Sequence, residues 1–321
     1  MLRFQLIVPA PLTHAVDEIL AAHAGSVSNV IRLPRAATAP RGDVLMCDVE
    51  RGDATELLGD LHRVRLDAEG SISIESVDLA LSRTAKATSA AVFGGEDDAV
   101  VWQEVEARAG DEVRLSATFI IYMVVAIMIA AIGVFSDQPI LIVGAMVVGP
   151  DFGPLAAMAV GIVRRRPFVV GRSILALVAG YGIGILVTIP FSWLMVAMHL
   201  YTGDPFTQDH PLTAFIWQPN GLSYVVGFLA GIAGMLSLTS AKSGALIGVL
   251  ISVTTVPAAG AAALALSYGE WHTVGTSLVQ LVINLLAIVT GCTLTLLAQI
   301  LLMNRAERRR AADATTGQAR V

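Results

Sequence analysis

The strongest chemical signal in this sequence is an aspartate inside an otherwise apolar run. Asp151 lies in the segment Gly149–Pro154 (GPDFGP), and it is the one acidic side chain deep within such a run. A charge at that depth is costly, so intramembrane carboxylates usually face a cavity or a polar partner. We therefore expect Asp151 to bind a cation or a proton, or to stay neutral. If the helix breaks at Gly149-Pro150, Asp151 could instead cap the half-helix that follows.

A second polar segment follows a later glycine-rich run, and an asparagine lies in the last apolar run. A proline inside a helix frees the carbonyl four residues back, and in lipid that group needs a partner from protein, water or solute. We therefore predict a binding site near the bilayer midplane, with the remaining alternative that these glycine-rich faces serve close helix packing. Its predicted residues are Gly149, Pro150, Asp151, Gly153, Ser252, Thr254, Thr255, Pro257 and Asn284.

Three arginines near the N-terminus form a weaker candidate site. The three residues, Arg32, Arg35 and Arg41, fall within one short polar stretch. The planar guanidinium group of arginine binds phosphate and carboxylate well. They could bind an anionic ligand such as a nucleotide phosphate. The alternative is that they lie in a solvated hairpin loop without a ligand. His23 and the other N-terminal histidines lack metal-ligand spacing, so we expect surface or capping roles and no metal.

Enzyme signatures are missing from the sequence. It contains no Walker loop, no His-Glu-x-x-His motif and no Gly-x-Ser-x-Gly elbow. Intramembrane hydrolysis would need a pair of catalytic groups at depth, and only one acid is present there. We therefore expect a protein that is not an enzyme and has no cofactor.

The elements that must position these residues are membrane helices. Of 321 residues, 55% are apolar and 15% are charged, and the mean hydropathy is +0.70, which is far from the composition of a soluble domain. Six runs are long enough to cross a bilayer core, which takes about 20 residues. They are approximately 116–135, 140–163, 168–199, 222–238, 244–267 and 274–303.

Basic residues alternate between the loops that join these runs. Arginine or lysine occurs before the first run and after the second, fourth and sixth, and the other loops contain neither. By the positive-inside rule, both termini are cytoplasmic. We predict a multi-pass protein of the cell (inner) membrane.

The two polar segments occupy matching positions in two sets of three spans. Because three is odd, the two sets cross the membrane in opposite directions, as in transporters built from inverted repeats with interrupted helices. At 1.5 Å per residue, Asp151 and Thr254 each lie about 15–17 Å into their spans, near mid-bilayer. The predicted fold is therefore an α-helical polytopic membrane domain with a 3+3 inverted repeat.

The N-terminal part predicts a soluble α/β unit. Alternating and helical patterns follow one another in the order βαββαβ, the ferredoxin-like split unit. We predict four parts: a cytoplasmic ferredoxin-like domain (1–82), a linker with an amphipathic helix (83–115), the transmembrane domain (116–303) and a basic cytoplasmic tail (304–321).

The apolar part resembles the Domain of Unknown Function 389 family of membrane proteins. The similarity rests on Ser116, Ile129–Gly133, Gly144–Met146 and the Pro150…Gly153-Pro154 element, and covers about the last two-thirds of the chain. In the second half it involves Ser243–Gly248, Ser252, Val256-Pro257 and Asn284. The sequence differs from the family pattern at Asp151 and Ala258. The resemblance implies the same fold and supplies no activity.

Two functional hypotheses follow. The first is a small-solute or ion transporter or channel, regulated by its cytoplasmic domain. The second is a membrane-anchored sensor or scaffold whose N-terminal domain binds a small anionic metabolite. Expected partners are the lipid bilayer, further copies of the chain in a dimer or trimer, and a small-molecule ligand, with no nucleic acid.

Overall fold

The computed structural model describes residues 1–77, 115–203, 205–206, 212–218, 221–239 and 254–318. Residues 1–77 belong to one compact unit, and residues 115–238 and 254–318 belong to a second. Most of the predicted linker 83–115, the predicted site residue Ser252 and the first part of the predicted span 244–267 lie outside the described residues.

The first unit is a four-stranded antiparallel sheet with helices. Its strand order is β2-β3-β1-β4, and β1 pairs antiparallel with both β3 and β4. The elements are β1 (Leu2–Val8), α1 (Thr13–Ala22), β2 (Val27–Thr38), β3 (Arg41–Val49), α2 (Arg51–Arg63), α3 (Leu66–Glu69) and β4 (Ser71–Ser76).

The core of this unit lies on one side of the sheet. Alternate residues of β1 are buried, namely Leu2, Phe4, Leu6 and Val8, because successive strand side chains point to opposite faces. They join buried leucines and valines of α1 and α2 in one cluster. Each such side chain contributes about 1.5–3 kcal/mol when fully buried, which holds the helices on this face.

The hairpin of this unit is longer than its sequence pattern indicates. The sequence allows a hairpin loop around the three arginines, but β2 continues to Thr38 and β3 begins at Arg41. Pro34 is tolerated within β2 because this is an edge strand, where a missing N–H breaks no ladder hydrogen bond. The predicted arginine loop is therefore mostly strand.

The second unit consists of apolar helices. Four are long and apolar enough to cross a membrane, and a helix pair bent by 52° makes a fifth passage if it is one span. The helices are α4 (Ala117–Phe135), α5 (Pro139–Val148), α6 (Phe152–Val163), α7 (Pro167–Ala197), α8 (Gly221–Thr239), α9 (Thr255–Tyr268) and α10 (Trp271–Gln318). The described residues thus contain four to five candidate spans, rather than the six predicted.

The shortfall concerns the fifth predicted span. Its described part is α9, an apolar helix of 14 residues, and it is too short to cross a core that takes about 20. The second predicted span is the bent pair of α5 and α6. A break in the second span is therefore present, whereas the residues that precede α9 lie outside the described part.

The last helix does not end at the membrane boundary predicted near residue 303. α10 has 48 residues and continues to Gln318, and its apolar part is Trp271–Leu302. Alanine, glutamate and arginine dominate the sequence just beyond Met303, and these are good helix formers. The basic tail therefore extends the last helix instead of leaving it.

Glycines bring these helices close together. A Cβ atom added at Gly180 of α7 would lie 3.0 Å from the Phe119 ring of α4, and one at Gly231 of α8 only 2.3 Å from the carbonyl oxygen of Ile288 in α10. Close contact of this kind is how membrane helices gain packing energy without a hydrophobic driving force.

Candidate functional site

The break between α5 and α6 follows directly from its sequence. Gly149 is the C-cap of α5 and has an extended backbone, as expected for a residue that precedes a proline. Pro150 has no N–H with which to continue the α5 ladder. α6 then begins at Phe152, and Asp151 is its N-cap. The chain is thus non-helical for three residues in the middle of an apolar passage.

Prolines occupy matching places in the short helices α6 and α9. Pro154 is the third residue of α6, and Pro257 is the third residue of α9. The first N–H groups of a helix have no intrahelical partner, so a proline there removes no hydrogen bond. Pro154 and Pro257 therefore free no helix carbonyl, unlike a proline further inside a helix, because both lie in a first turn.

The Asp151 side chain is buried and bonded by two hydroxyl groups. Its Oδ2 accepts hydrogen bonds from the Tyr181 hydroxyl of α7 at 2.7 Å and from the Thr255 hydroxyl of α9 at 2.5 Å. All three residues are at most 5% exposed. Asp151 makes no side-chain capping hydrogen bond, so it occupies the capping position without capping α6.

Thr254, which precedes Thr255, takes part in a second set of polar contacts. The Thr254 Oγ1 atom accepts a hydrogen bond from Asn284 Nδ2 of α10 at 2.9 Å, and the Asn284 Oδ1 atom accepts one from Gln280 Nε2 at 3.4 Å. Thr254 is the N-cap of α9. The contacts of Thr255 with Asp151 and of Thr254 with Asn284 are therefore both made at the start of α9.

Backbone packing supports the same junction. A Cβ atom added at Gly149 would lie 2.6 Å from Val256 Cγ2, so the end of α5 lies against the first turn of α9. Predicted site residues from both halves of the sequence therefore meet here, with Gly153 as the second residue of α6. We call the group Asp151, Tyr181, Thr254, Thr255, Gln280 and Asn284 the polar junction.

The two halves of the polar junction correspond to each other. Asp151 and Thr254 are the N-caps of α6 and α9. Each bonds to a polar side chain about midway along the long helix that follows its own half-helix, Tyr181 in α7 and Asn284 in the apolar part of α10.

Three residues at or beside the junction were not among the predicted site residues. Tyr181 was missed because an aromatic residue in an apolar span is usually a packing residue. Gln280 and Ser277 lie on the same α10 face as Asn284, at the three- and four-residue spacings that could have indicated it. Both are buried, and among the described residues Ser277 Oγ and Gln280 Oε1 have no hydrogen-bond partner.

The predicted arginine site does not form one cluster. Arg32 forms an ion pair with Asp17 and lies opposite Leu45 in the sheet, whereas Arg41 lies opposite Thr38. Four residues of β3 separate these positions, or about 13 Å at the rise of a strand. Arg35 directs its backbone N–H to Asp43 Oδ1 at 2.9 Å. Only Arg35 and Arg41 remain near the tip of the hairpin.

His23 differs from the predicted surface histidine. Its side chain is 10% exposed, and its Nδ1 and Nε2 atoms lie 2.7 Å from Asp53 and 3.2 Å from Asp60 of α2. Burial lowers the pKa of His23, but the hydrogen bonds to Asp53 and Asp60 outweigh it and leave the pKa raised. In the part of the chain that the structure describes, no group of three or more His, Cys, Asp or Glu could hold a metal ion.

Long apolar helices with a buried polar break define a multi-pass membrane protein. A family model described as Domain of unknown function (DUF389) matches residues 146–290, a range that contains the whole polar junction. The match confirms the resemblance to the DUF389 family seen in the sequence, over the residues that it covers.

A curated protein is also similar to this chain. Uncharacterized protein MJ0678 of Methanocaldococcus jannaschii is 25% identical over 198 residues, which cover 60% of this chain. The chain covers 58% of the length of that relative. No solved structure matches this chain significantly.

Proposed function

We propose that the protein is a small-solute or ion transporter or channel of the cell (inner) membrane, regulated by its N-terminal domain. The observation that carries this proposal is the polar junction, in which a buried carboxylate lies where a broken helix meets the start of another half-helix. Such breaks are tolerated at membrane depth where they line a cavity or are buried in protein. Intramembrane carboxylates of this kind serve ion and proton pathways.

An inverted 3+3 repeat accounts for the correspondence of the two halves. Matching N-caps, matching prolines and matching partners from α7 and α10 support it. A repeat with an odd number of spans places its two copies in opposite directions. On this proposal α6 and α9 run away from each other, and their N-termini meet at the midplane.

The charges of the loops support an orientation with both termini in the cytoplasm. Arg164, Arg165 and Arg166 follow α6, whereas the connection between α4 and α5 has no arginine or lysine. Basic residues are retained on the cytoplasmic side. The N-terminal unit then lies in the cytoplasm.

We assign the N-terminal unit to the ferredoxin-like class and give it a regulatory or assembly role. Its element order and its antiparallel strand order β2-β3-β1-β4 support this assignment. We also propose a homo-oligomer, either a dimer or a trimer. Native mass spectrometry that finds only monomers, both in mild detergent and in nanodiscs, would exclude the oligomer.

A sensor or scaffold is the second candidate, favoured by one observation. Arg35 and Arg41 lie exposed near the hairpin tip, where an anionic metabolite could bind. In such a protein the helices only anchor the domain. No solute flux is then expected, and Asp151→Asn should affect stability alone.

Flux measurements separate these functions. Proteoliposomes loaded with the pH dye pyranine should report proton movement that depends on the protein when a pH gradient and a panel of small solutes are applied. Asp151→Asn should change the rate or abolish its pH dependence while folding and oligomeric state stay intact, because the amide cannot release a proton. Glu270→Gln is the matched control, since Glu270 lies in the turn before α10 and outside the junction.

Two results would contradict the proposal. One is flux equal to that of empty liposomes for every solute. The other is an Asp151→Asn variant that matches Glu270→Gln in flux and differs from it only in thermal stability.

A further inference from the structure

Two helix N-termini converge on one carboxylate in the polar junction. Asp151 is the N-cap of α6, and its Oδ2 atom is bonded by the hydroxyl group of Thr255, the first residue of α9. Each helix N-terminus carries a partial charge of about +0.5. Together the two ends amount to about one positive charge, which a single carboxylate balances.

The balance changes when Asp151 takes up a proton. The two helix ends then have no negative counterpart, and neither α6 nor α9 has an acidic residue in its first turn. A helix N-terminus without such a counterpart binds anions. Protonation of Asp151 and binding of an anion therefore favour each other.

Further polar groups lie on the same face of α10 as Asn284, which contacts Thr254. Asn284 donates to Thr254 Oγ1, and Gln280 bonds to Asn284. One turn away, Ser277 is fully buried, and its hydroxyl has no partner among the described residues, as is also true of Gln280 Oε1. A buried polar atom without a partner costs about 1–3 kcal/mol, so these atoms favour a polar ligand at this position.

The amides suit an anion in one of their two orientations. Turning the Asn284 and Gln280 amides together keeps a hydrogen bond between them, and it directs the Gln280 NH2 group to the free position. Thr254 then donates to Asn284 instead of accepting, which a hydroxyl group can do equally well. The two orientations of an amide have nearly the same shape and differ in which end donates.

We propose that the α10 side of the polar junction binds a small carboxylate-class anion between Gln280 and Ser277, together with a proton on Asp151. Naming this solute class rests on the proposed transport function, but the binding can be measured without transport. The solute then crosses as a neutral anion–proton pair, and this avoids moving net charge through the bilayer.

Among the described residues, the other titratable groups of the surrounding helices lie outside this site. Tyr181 of α7 faces Asp151, and α4, α5, α6 and α9 contain no Asp, Glu, Lys, Arg or His. In α7 the charged residue is Arg172, more than two turns before Tyr181. In α10 the titratable residues nearest the site are His272 at its start and Cys292 beyond Asn284.

Acetate and its neutral isostere acetamide test the proposal. Saturation-transfer NMR on the full chain in nanodiscs should detect acetate, with binding that weakens as pH rises, and should detect no acetamide. Asp151→Asn, which keeps the aspartate position neutral, should bind acetate with the same affinity at every pH.

Substitutions at the residues proposed to contact the anion test where it binds. Gln280→Leu should lose acetate binding, while Gln299→Leu, about five turns further along α10, should retain it. Thr254→Asp should also lose acetate binding, because its carboxylate would occupy the start of α9. Its native thermal stability would show that the loss does not come from misfolding, since aspartate is a good N-cap residue.

Several results would overturn the inference. These are equal signals from acetate and acetamide, no acetate signal from the wild-type chain, wild-type binding that does not change with pH, and binding of methylammonium in place of acetate. Acetate binding without flux would contradict only the proposed transport function. Flux of a cation would contradict only the inference that the bound solute is an anion.

Discussion

At the scale of single residues, two hydroxyl groups hold the Asp151 side chain. Tyr181 and Thr255 come from different helices and both donate to the same carboxylate oxygen. Asp151 therefore ties α7 and α9 to the start of α6. Since the site is buried, the loss of one donor leaves an acceptor that water does not easily reach.

Tyr181→Phe removes one of these donors and keeps the ring. We expect it to lower the free energy of unfolding by about 1–3 kcal/mol, the cost of a buried polar group left without a partner. It should also change the pH dependence of flux. Thermal unfolding in nanodiscs measures the first effect. Tyr122→Phe is the control, because the Tyr122 side chain is exposed on the helix surface, and equal losses in the two variants would refute the bond.

His23 makes the stability of the N-terminal unit depend on pH. Its pKa is raised in the folded chain from a usual value of 6.5, so its contribution is complete below about pH 6.5 and is lost as pH rises through the folded pKa. Residues 1–82, expressed alone, should unfold at a lower temperature at pH 9 than at pH 6, and His23→Gln should flatten this difference.

A second ion pair of the same unit behaves in the opposite way. Burial raises the pKa of Asp48, but hydrogen bonds from Arg3 and Asn29 outweigh it and leave the pKa lowered from 3.8. The contribution of Asp48 is therefore present above that value and constant between pH 6 and 9. A pH dependence in that window that persists in His23→Gln would contradict the assignment to His23.

The sequence predicted the residue types of the site better than their partners. An acid, two threonines and an asparagine at matching depth mark the midplane because each is costly in hydrocarbon. Tyr181 and Gln280 carry weaker signals, since aromatic and amide residues also pack within helices. The His23 contacts depend on Asp53 and Asp60, 30 and 37 positions away, and only the fold brings these residues together.

At the scale of elements, five of the six predicted spans correspond to a helix or to the bent pair of α5 and α6, and the fifth is described only as the short helix α9. The other differences occur where local patterns mislead. Gly149-Pro150 predicted the break in the second span because both residues end helices. Pro34 and Gly42 suggested a loop by the same logic, yet an edge strand accommodates Pro34. Local sequence does not reveal whether a strand lies at the edge of a sheet.

Gly231→Ala tests the packing of α8 on α10. The added methyl would lie 2.3 Å from the Ile288 carbonyl oxygen, a backbone atom that cannot rotate away. We expect a loss of about 1–3 kcal/mol in the free energy of unfolding, typical of overpacking. Gly182→Ala in α7 has nothing within 4 Å and should be neutral. Equal stability of the two variants would exclude the contact.

At the scale of the whole molecule, topology follows from charge. In the six-span arrangement, tags at both termini and in the loop after α6 should lie on the cytoplasmic side, because basic residues do not cross the membrane readily. Accessibility to impermeant reagents measures this, and an external signal from either terminus would overturn it. The cytoplasmic positions are Met1, Arg165 and Val321, and the external ones are Asp137, Asp204 and Gly269.

The N-terminal unit should also fold by itself. Its core is formed by its own strands and helices, so residues 1–82 alone should give a soluble domain with dispersed NMR signals. A disordered spectrum would contradict this expectation.

α10 is one uninterrupted rod of 48 residues, about 72 Å long. It carries Asn284 of the polar junction and continues about 50 Å further, to Gln318. Because the helix is continuous over this length, it would act as a lever arm when it tilts as one body. A rotation of about 5° at Asn284 sweeps the far end through about 4 Å. Displacement at the polar junction therefore reaches the far end of α10 amplified, with no need for a chain of intermediate contacts.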